Sequence, residues 1–190
     1  MATCKGYGMK KILLHSCCAP CSAPILEWML NNEVSPTLFF FNPNIFPSEE
    51  YIKRKAECVH YANSLGIDFI DGDYDHKSWL EEIAGLEDQP ERGARCAECF
   101  RVRLDTTALL AAERGFQAFT TTLTGSRWKS FEQITEAGNR AASLVEGVEF
   151  WDKDWKKGGL SERRRILLRE NNFYNQLYCG CEFSIRKRGE

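Results

Sequence analysis

The chain has 190 residues, 43% hydrophobic and 27% charged, with a formal net charge of −2 at pH 7. That length suits one domain with a substantial core. No stretch is long and apolar enough to span a bilayer, and Ile12-Leu13-Leu14 after Lys10-Lys11 is too short for a secretory signal. Nine cysteines therefore point to a reducing, cytoplasmic setting, where clustered thiols act as metal ligands or redox groups rather than structural bridges.

In chain order, residues 1–9 read as a loose leader in which Cys4 is incidental. Lys11 to His15 predicts a short buried strand, and Ser16 to Ser22 a loop carrying Cys17, Cys18 and Cys21. Ser22 can cap a helix reaching about Leu30, with Pro24 tolerated in its first turn. Thr37 to Phe41 is apolar without alternation and predicts a second buried strand, stopped by Asn42-Pro43-Asn44. Ser48 opens a second helix, with Glu49 and Glu50 in its first turn and Gly66 past its end. Cys58 falls among its apolar positions and reads as core.

Ile67 to Ile70 predicts a third strand, and Trp79 to Leu86 a helix. Asp71, Asp73 and Asp75 follow that strand and could reach the site, although turn-forming is the commoner use of such residues. A polar connector, Glu87 to Arg95, leads to Cys96-Ala-Glu-Cys99 and a helix over about 100–114. Phe116 to Leu123 predicts a fourth strand and Glu132 to Leu144 a helix. A short strand, a basic helix and the Cys179-Gly-Cys181 turn complete the chain. Strand and helix alternate throughout, so the fold class is α/β with a mainly parallel sheet and flanking helices, in a single domain over 1–190.

Charge is uneven along the chain. Residues 66–99 carry 10 acidic and 3 basic side chains, and residues 153–190 carry 10 basic and 5 acidic ones. The basic end includes Arg163-Arg164-Arg165 and Arg186-Lys187-Arg188, with Trp151, Trp155, Phe173, Tyr174 and Tyr178 interleaved. Such a stretch can neutralise phosphates and stack on bases; a solvated helix face is the plainer reading.

In an open parallel sheet the usual site is the crevice beyond the carboxyl ends of the strands. Cys17 and Cys18 belong there, where the start of the following helix favours thiolate. Cys96-x-x-Cys99 alone fits half a zinc site or a redox dithiol, and no second Cys-x-x-Cys completes a zinc ribbon without leaving Cys17 over. Cys17, Cys18, Cys96 and Cys99 together would complete a [4Fe–4S] site, with Cys21 the rival for one position. Cys179 and Cys181 are either a dithiol, oxidised to a strained and easily reduced disulfide, or ligands of an additional metal. His15 is a supporting or packing residue, and neither His60 nor His76 has metal-ligand spacing.

These residues together resemble the epoxyqueuosine reductase family QueH, from about Leu13 to Ser184. The resemblance rests on Leu-Leu-His-Ser-Cys-Cys-Ala-Pro-Cys-Ser at 13–22, Asn42-Pro43-Asn44-Ile45, Gly72-Asp73-Tyr74-Asp75, Arg95-Cys96, Cys99-Phe100, Ser126, Lys129, Asp154-Trp155-Lys156-Lys157 and Tyr178-Cys-Gly-Cys181. Gly125-Ser126-Arg127-Trp128 and Asn175 depart from its usual pattern. The resemblance implies reduction of epoxyqueuosine at the wobble position of a tRNA to queuosine. It implies a [4Fe–4S] cluster on Cys17, Cys18, Cys96 and Cys99, Cys179 with Cys181 as the redox pair, and an electron donor left unidentified. An additional iron beside the cluster, and Asp73 as proton donor or metal ligand, are further implications.

The sheet also looks like that of the PP-loop adenine-nucleotide class, a Rossmann-like scaffold. Its phosphate loop is here replaced by glycine-free Cys-Cys-Ala-Pro-Cys, which argues against ATP. Two alternatives remain open: a cluster-dependent tRNA thiolation enzyme, which would need ATP, and a colourless, zinc-stabilised RNA-binding module.

Overall fold

The computed structural model describes residues 10–185, so the leader with Cys4 and the Arg186-Lys187-Arg188 run lie outside the described residues. The chain runs β1 (Lys10–His15), α1 (Ala19–Asn31), β2 (Val34–Phe40), α2 (Ser48–Ser64), β3 (Phe69–Asp71), α3 (His76–Glu82), α4 (Ala94–Glu113), β4 (Ala118–Thr121), α5 (Phe131–Ser143), β5 (Glu149–Phe150) and α6 (Leu160–Glu170). Short 3-10 turns cover Thr122–Gly125 and Glu182–Ser184.

All five strands pair in parallel, in the order β3-β2-β1-β4-β5. Side chains alternate across a strand, and the apolar clusters follow that alternation. Ile12, Leu14, Leu38 and Phe40 pack with apolar residues of α1, α2 and α6. Leu13, Phe39 and Phe119 pack with those of α4 and α5. Helices therefore cover both faces, as a fully buried parallel sheet requires. The expected α/β architecture is observed.

Strand order reverses between β1 and β4, which makes the crevice beyond their carboxyl ends the topological switch point. The segments leaving these strands carry Cys17 and Thr122, and they touch: Cys17 N–H donates to Thr122 Oγ1 at 3.1 Å.

Three local differences from the sequence reading bear on the site. First, α1 begins at Ala19 with Cys18 as its N-cap, so Ser22 lies inside the helix and caps nothing. Pro20 accounts for the early start, since a missing N–H costs little in a first turn. Ser22 Oγ donates back to Cys18 O at 2.9 Å, a bond the buried hydroxyl makes four residues on. Cys21 is consequently on the helix, one turn from Cys18.

Second, α4 begins at Ala94, after an extended Gly93 whose carbonyl accepts from Cys96 N and Ala97 N. Cys96 and Cys99 are thus in its opening turns rather than ahead of the helix. Third, β4 ends at Thr121, whose Oγ1 accepts from Leu123 N at 3.2 Å and turns the chain into the 3-10 segment.

Candidate metal centre

Cys17, Cys18 and Cys21 are all buried, and their sulfurs lie within 4.8 Å of one another. Among the described residues no other set of three or more His, Cys, Asp or Glu ligand atoms is so close. Cys17 and Cys18 Sγ are 3.8 Å apart. Ligand sulfurs about 2.3 Å from a tetrahedral soft ion sit roughly 3.8 Å from each other, so the spacing suits convergence on one metal. The Cys17 thiol is held well below the usual range by hydrogen bonds from Cys18 and Cys21, with Lys129 and Thr122 assisting. Thr122 Oγ1 donates to Cys17 Sγ at 3.3 Å. Burial pushes Cys18 up, and Cys21 rises to about 11, with Cys17 the largest cause. Gln176 Nε2 donates to Cys18 Sγ at 2.9 Å.

A second group of sulfurs adjoins the first. Cys96 packs against the apolar cluster that contains Cys17, Cys18 and Cys21, and its sulfur accepts from Arg92 N–H at 3.3 Å. Cys99 is buried with Cys181, Trp79, Ile83 and Phe183. Neither Cys96 nor Cys99 is within 4.8 Å of all three sulfurs of the triad. Burial raises both thiols, and Cys179 adds to the shift in each. Cys179 itself lines the same cleft as Cys17 and Cys21. The fold thus gathers cysteines from three remote segments into one region.

The Cys-Gly-Cys turn is anchored from α2. Arg54 is buried in an ion pair with Glu50 at 2.6 Å and donates to the carbonyls of Cys179 and Tyr178 at 3.3 and 3.4 Å. Gly180 has φ +135°, and a Cβ there would meet Arg54, Asn44 and Ile45 atoms at 3.2–3.3 Å. Gly180→Ala is expected to destabilise the protein by about 1–3 kcal/mol, read as a lower midpoint in a urea melt.

The charge around the sulfurs decides what the site can hold. Lys129, Arg103 and Arg95 are 8%, 2% and 2% exposed, and none has a carboxylate within 4.0 Å among the described residues. Burial works against the Lys129 charge, yet Cys179 and Cys17 outweigh it and raise its pKa; Ser126 Oγ accepts from its Nζ at 3.4 Å. Arg164 lines the cleft beside Cys21, and the Arg103 guanidinium acts on the Cys99 thiol, working against its rise. Isolated buried cations are costly unless an anion compensates them. Here sulfur is the available anion, so the surroundings fit thiolates or an anionic metal–thiolate cluster. His15, fully buried, stays neutral: burial first, then Arg103, lowers its pKa to about 3.

The cleft above the triad holds about 380 Å³, within the roughly 300–1,000 Å³ usual for small-ligand sites. Cys17, Cys21, Lys129, Arg164, Gln176 and Cys179 line it, and no carboxylate does. An adjoining hollow of about 460 Å³ shares Arg127, Lys129 and Lys156 and adds Arg92.

Asp73 is not placed in this cleft. It is exposed beyond the edge strand β3, and its charge is felt at Tyr51. The basic end is also used differently from the sequence expectation. Arg163 is tied to Glu27 at 2.7 and 2.9 Å. Trp151 and Trp155 pack against Trp28, with Lys153 Nζ 3.2 Å over the Trp28 ring. Phe173 packs on Tyr61, while the hydroxyls of Tyr174 and Tyr178 donate to Glu50 and Phe46. Lys129 and Gln176 were given no role at the sulfurs by sequence, because single polar residues in mixed segments leave no pattern. Among the described residues no helix is long and apolar enough to cross a membrane.

Residues 12–187 match the family described as epoxyqueuosine reductase QueH. A Histophilus somni protein named epoxyqueuosine reductase QueH is 46% identical over 180 residues, covering 95% of this chain and 74% of its own. An Acinetobacter baylyi protein of the same name is 46% identical over 176 residues, covering 93% of this chain and 81% of its own. A Thermotoga maritima protein of that name is 34% identical over 185 residues, covering 96% and 94%.

Proposed function

This chain belongs to the epoxyqueuosine reductase QueH family, and from that membership we propose that it reduces epoxyqueuosine to queuosine in tRNA at an iron–sulfur centre in the cytoplasm. The observation that supports this reading most is the basic cleft with thiols at its base, where Cys17, Cys21 and Cys179 meet Lys129 and Arg164. Opening the epoxide to an alkene and losing its oxygen as water takes two electrons and two protons. A [4Fe–4S] cluster held by these cysteines would supply single electrons and Lewis-acid iron for that chemistry.

Cys17, Cys18, Cys96 and Cys99 are the proposed ligands, and Cys21, inside the compact triad, competes for one place. Cys179 and Cys181, both free thiols, are proposed as the two-electron reservoir. Their oxidation to a disulfide releases the two electrons and two protons that the epoxide consumes, and an external donor then reduces the pair. Lys129, charged and facing the cleft, donates a hydrogen bond to the oxygen as its carbon bond opens. Lys129→Met is expected to slow turnover by about 100-fold or more, with Lys129→Arg recovering part of it. Unchanged turnover in Lys129→Met contradicts that role.

Phosphate contacts are assigned to Lys156 and Arg165, which line the cleft, rather than to Arg163. Lys156→Ala and Arg165→Ala should each lower the slope of log affinity against log salt by about one, and Arg163→Ala should leave it unchanged.

The test of the function is conversion of epoxyqueuosine-containing tRNA by the anaerobically prepared protein, read by nucleoside analysis. Queuosine is the expected product. A thiolated base in its place would indicate the sulfur-transfer reading, and no product would refute both.

A further inference from the structure

We propose that Trp128 and Leu177 form the apolar slot that receives a base extruded from the tRNA anticodon loop, with Arg127, Lys156 and Arg165 holding its flanking phosphates. The proposal rests on the function assigned above and says how the substrate reaches the sulfurs.

Cys17 and Cys21 are each 8% exposed at the base of the cleft. A substrate reaches these sulfurs through the cleft they line. Enzymes that act on a base draw it out of the stack and pay a few kcal/mol to do so. The cost is offset where the protein offers an apolar or aromatic surface for stacking.

The cleft has one aromatic lining residue, Trp128, and one aliphatic one, Leu177. Leu177 is 67% exposed and presents its side chain in the lining of the cleft. The exposed Arg127 guanidinium lies 5.2 Å from the centre of the Trp128 ring, an arrangement that suits a base and its phosphate together. Five cations and no carboxylate line the cleft, which selects a polyanion over an acidic-residue-binding or neutral partner.

Trp128 is also fixed to the metal region. Its backbone N–H donates to Ser126 Oγ at 3.3 Å, and the Arg92 guanidinium donates to the carbonyls of Arg127 and Trp128 at 2.7 and 3.3 Å. The backbone N–H of the same Arg92 donates to Cys96 Sγ. The stacking surface and a proposed ligand therefore share one positioning residue.

The test uses the iron-loaded protein and an anticodon stem-loop RNA carrying 2-aminopurine beside the wobble position. Extrusion unstacks the probe, so its fluorescence should rise on binding to the unaltered protein. Trp128→Ala and Leu177→Ala should each weaken binding on the order of 5- to 100-fold and reduce the rise, with the salt slope unchanged. Trp128→Phe should recover most of the affinity. Visible absorption equal to that of the parent shows that the centre is intact in each variant. Should Trp128→Ala lose it, the exposed Leu177→Ala decides. Alanine variants that bind and brighten like the parent would overturn the slot while leaving the reductase reading in place. A parent protein that neither binds the RNA nor reduces epoxyqueuosine would overturn both.

Discussion

Cys17→Ser is expected to leave the protein without its iron and without its brown colour. Cys17 sits at the junction of the site: its sulfur is 3.8 Å from that of Cys18, Thr122 Oγ1 donates to it at 3.3 Å, and it lines the cleft together with Lys129. A serine hydroxyl does not ionise at neutral pH, so one of the sulfurs that offset the burial of Lys129 is lost. Partners that merely orient a ligand cost about 10- to 100-fold in metal affinity when removed, and loss of a direct ligand costs more. Iron analysis after anaerobic gel filtration checks this. Cys58→Ser serves as the contrast: Cys58 is buried in α2, 3.5 Å from Ser16 Oγ, and its loss should not change the iron content. The same assay on Cys21→Ser and Cys99→Ser separates the two ligand sets. Loss of iron in the former with retention in the latter would put Cys21 in the set and Cys99 outside it.

Cys179→Ser and Cys181→Ser are each expected to abolish turnover, by at least about 1,000-fold, while leaving the visible spectrum of the centre largely intact. The two thiols are nevertheless not equivalent. Cys179 is half-buried and lines the cleft, whereas Cys181 is 8% exposed among Trp79, Ile83, Phe183 and Cys99. Burial, then the neighbouring Cys179, pushes the Cys181 thiol up. An alkylating reagent should therefore modify Cys179 well before Cys181, which mass spectrometry of partially labelled protein reads directly. A variant that loses the spectrum along with its activity would make that cysteine a metal ligand and remove it from the redox pair.

The sheet was legible because its strands carry apolar runs on both faces: Ile12-Leu13-Leu14 and Phe39-Phe40 supply one residue after another to opposite clusters. The location of Cys17 and Cys18 followed from strand one alone. The place of Cys21 did not, because Ser22 has the chemistry of a cap while Pro20 starts the helix earlier. Nor could charge density along the chain separate Arg163, neutralised by Glu27, from Arg164, which lines the cleft beside Cys21. Arg95, Arg103 and Lys129 are scattered in sequence and become a positive shell only when the switch point and α4 close around the sulfurs. Asp73 follows the edge strand β3 and does not line the cleft at the order reversal.

The most direct measurement is iron and acid-labile sulfide content of the anaerobically purified protein, taken with its visible spectrum. The account predicts about four irons and four sulfides per chain and broad absorption that bleaches in air. A colourless protein holding one zinc, or no metal, would contradict it.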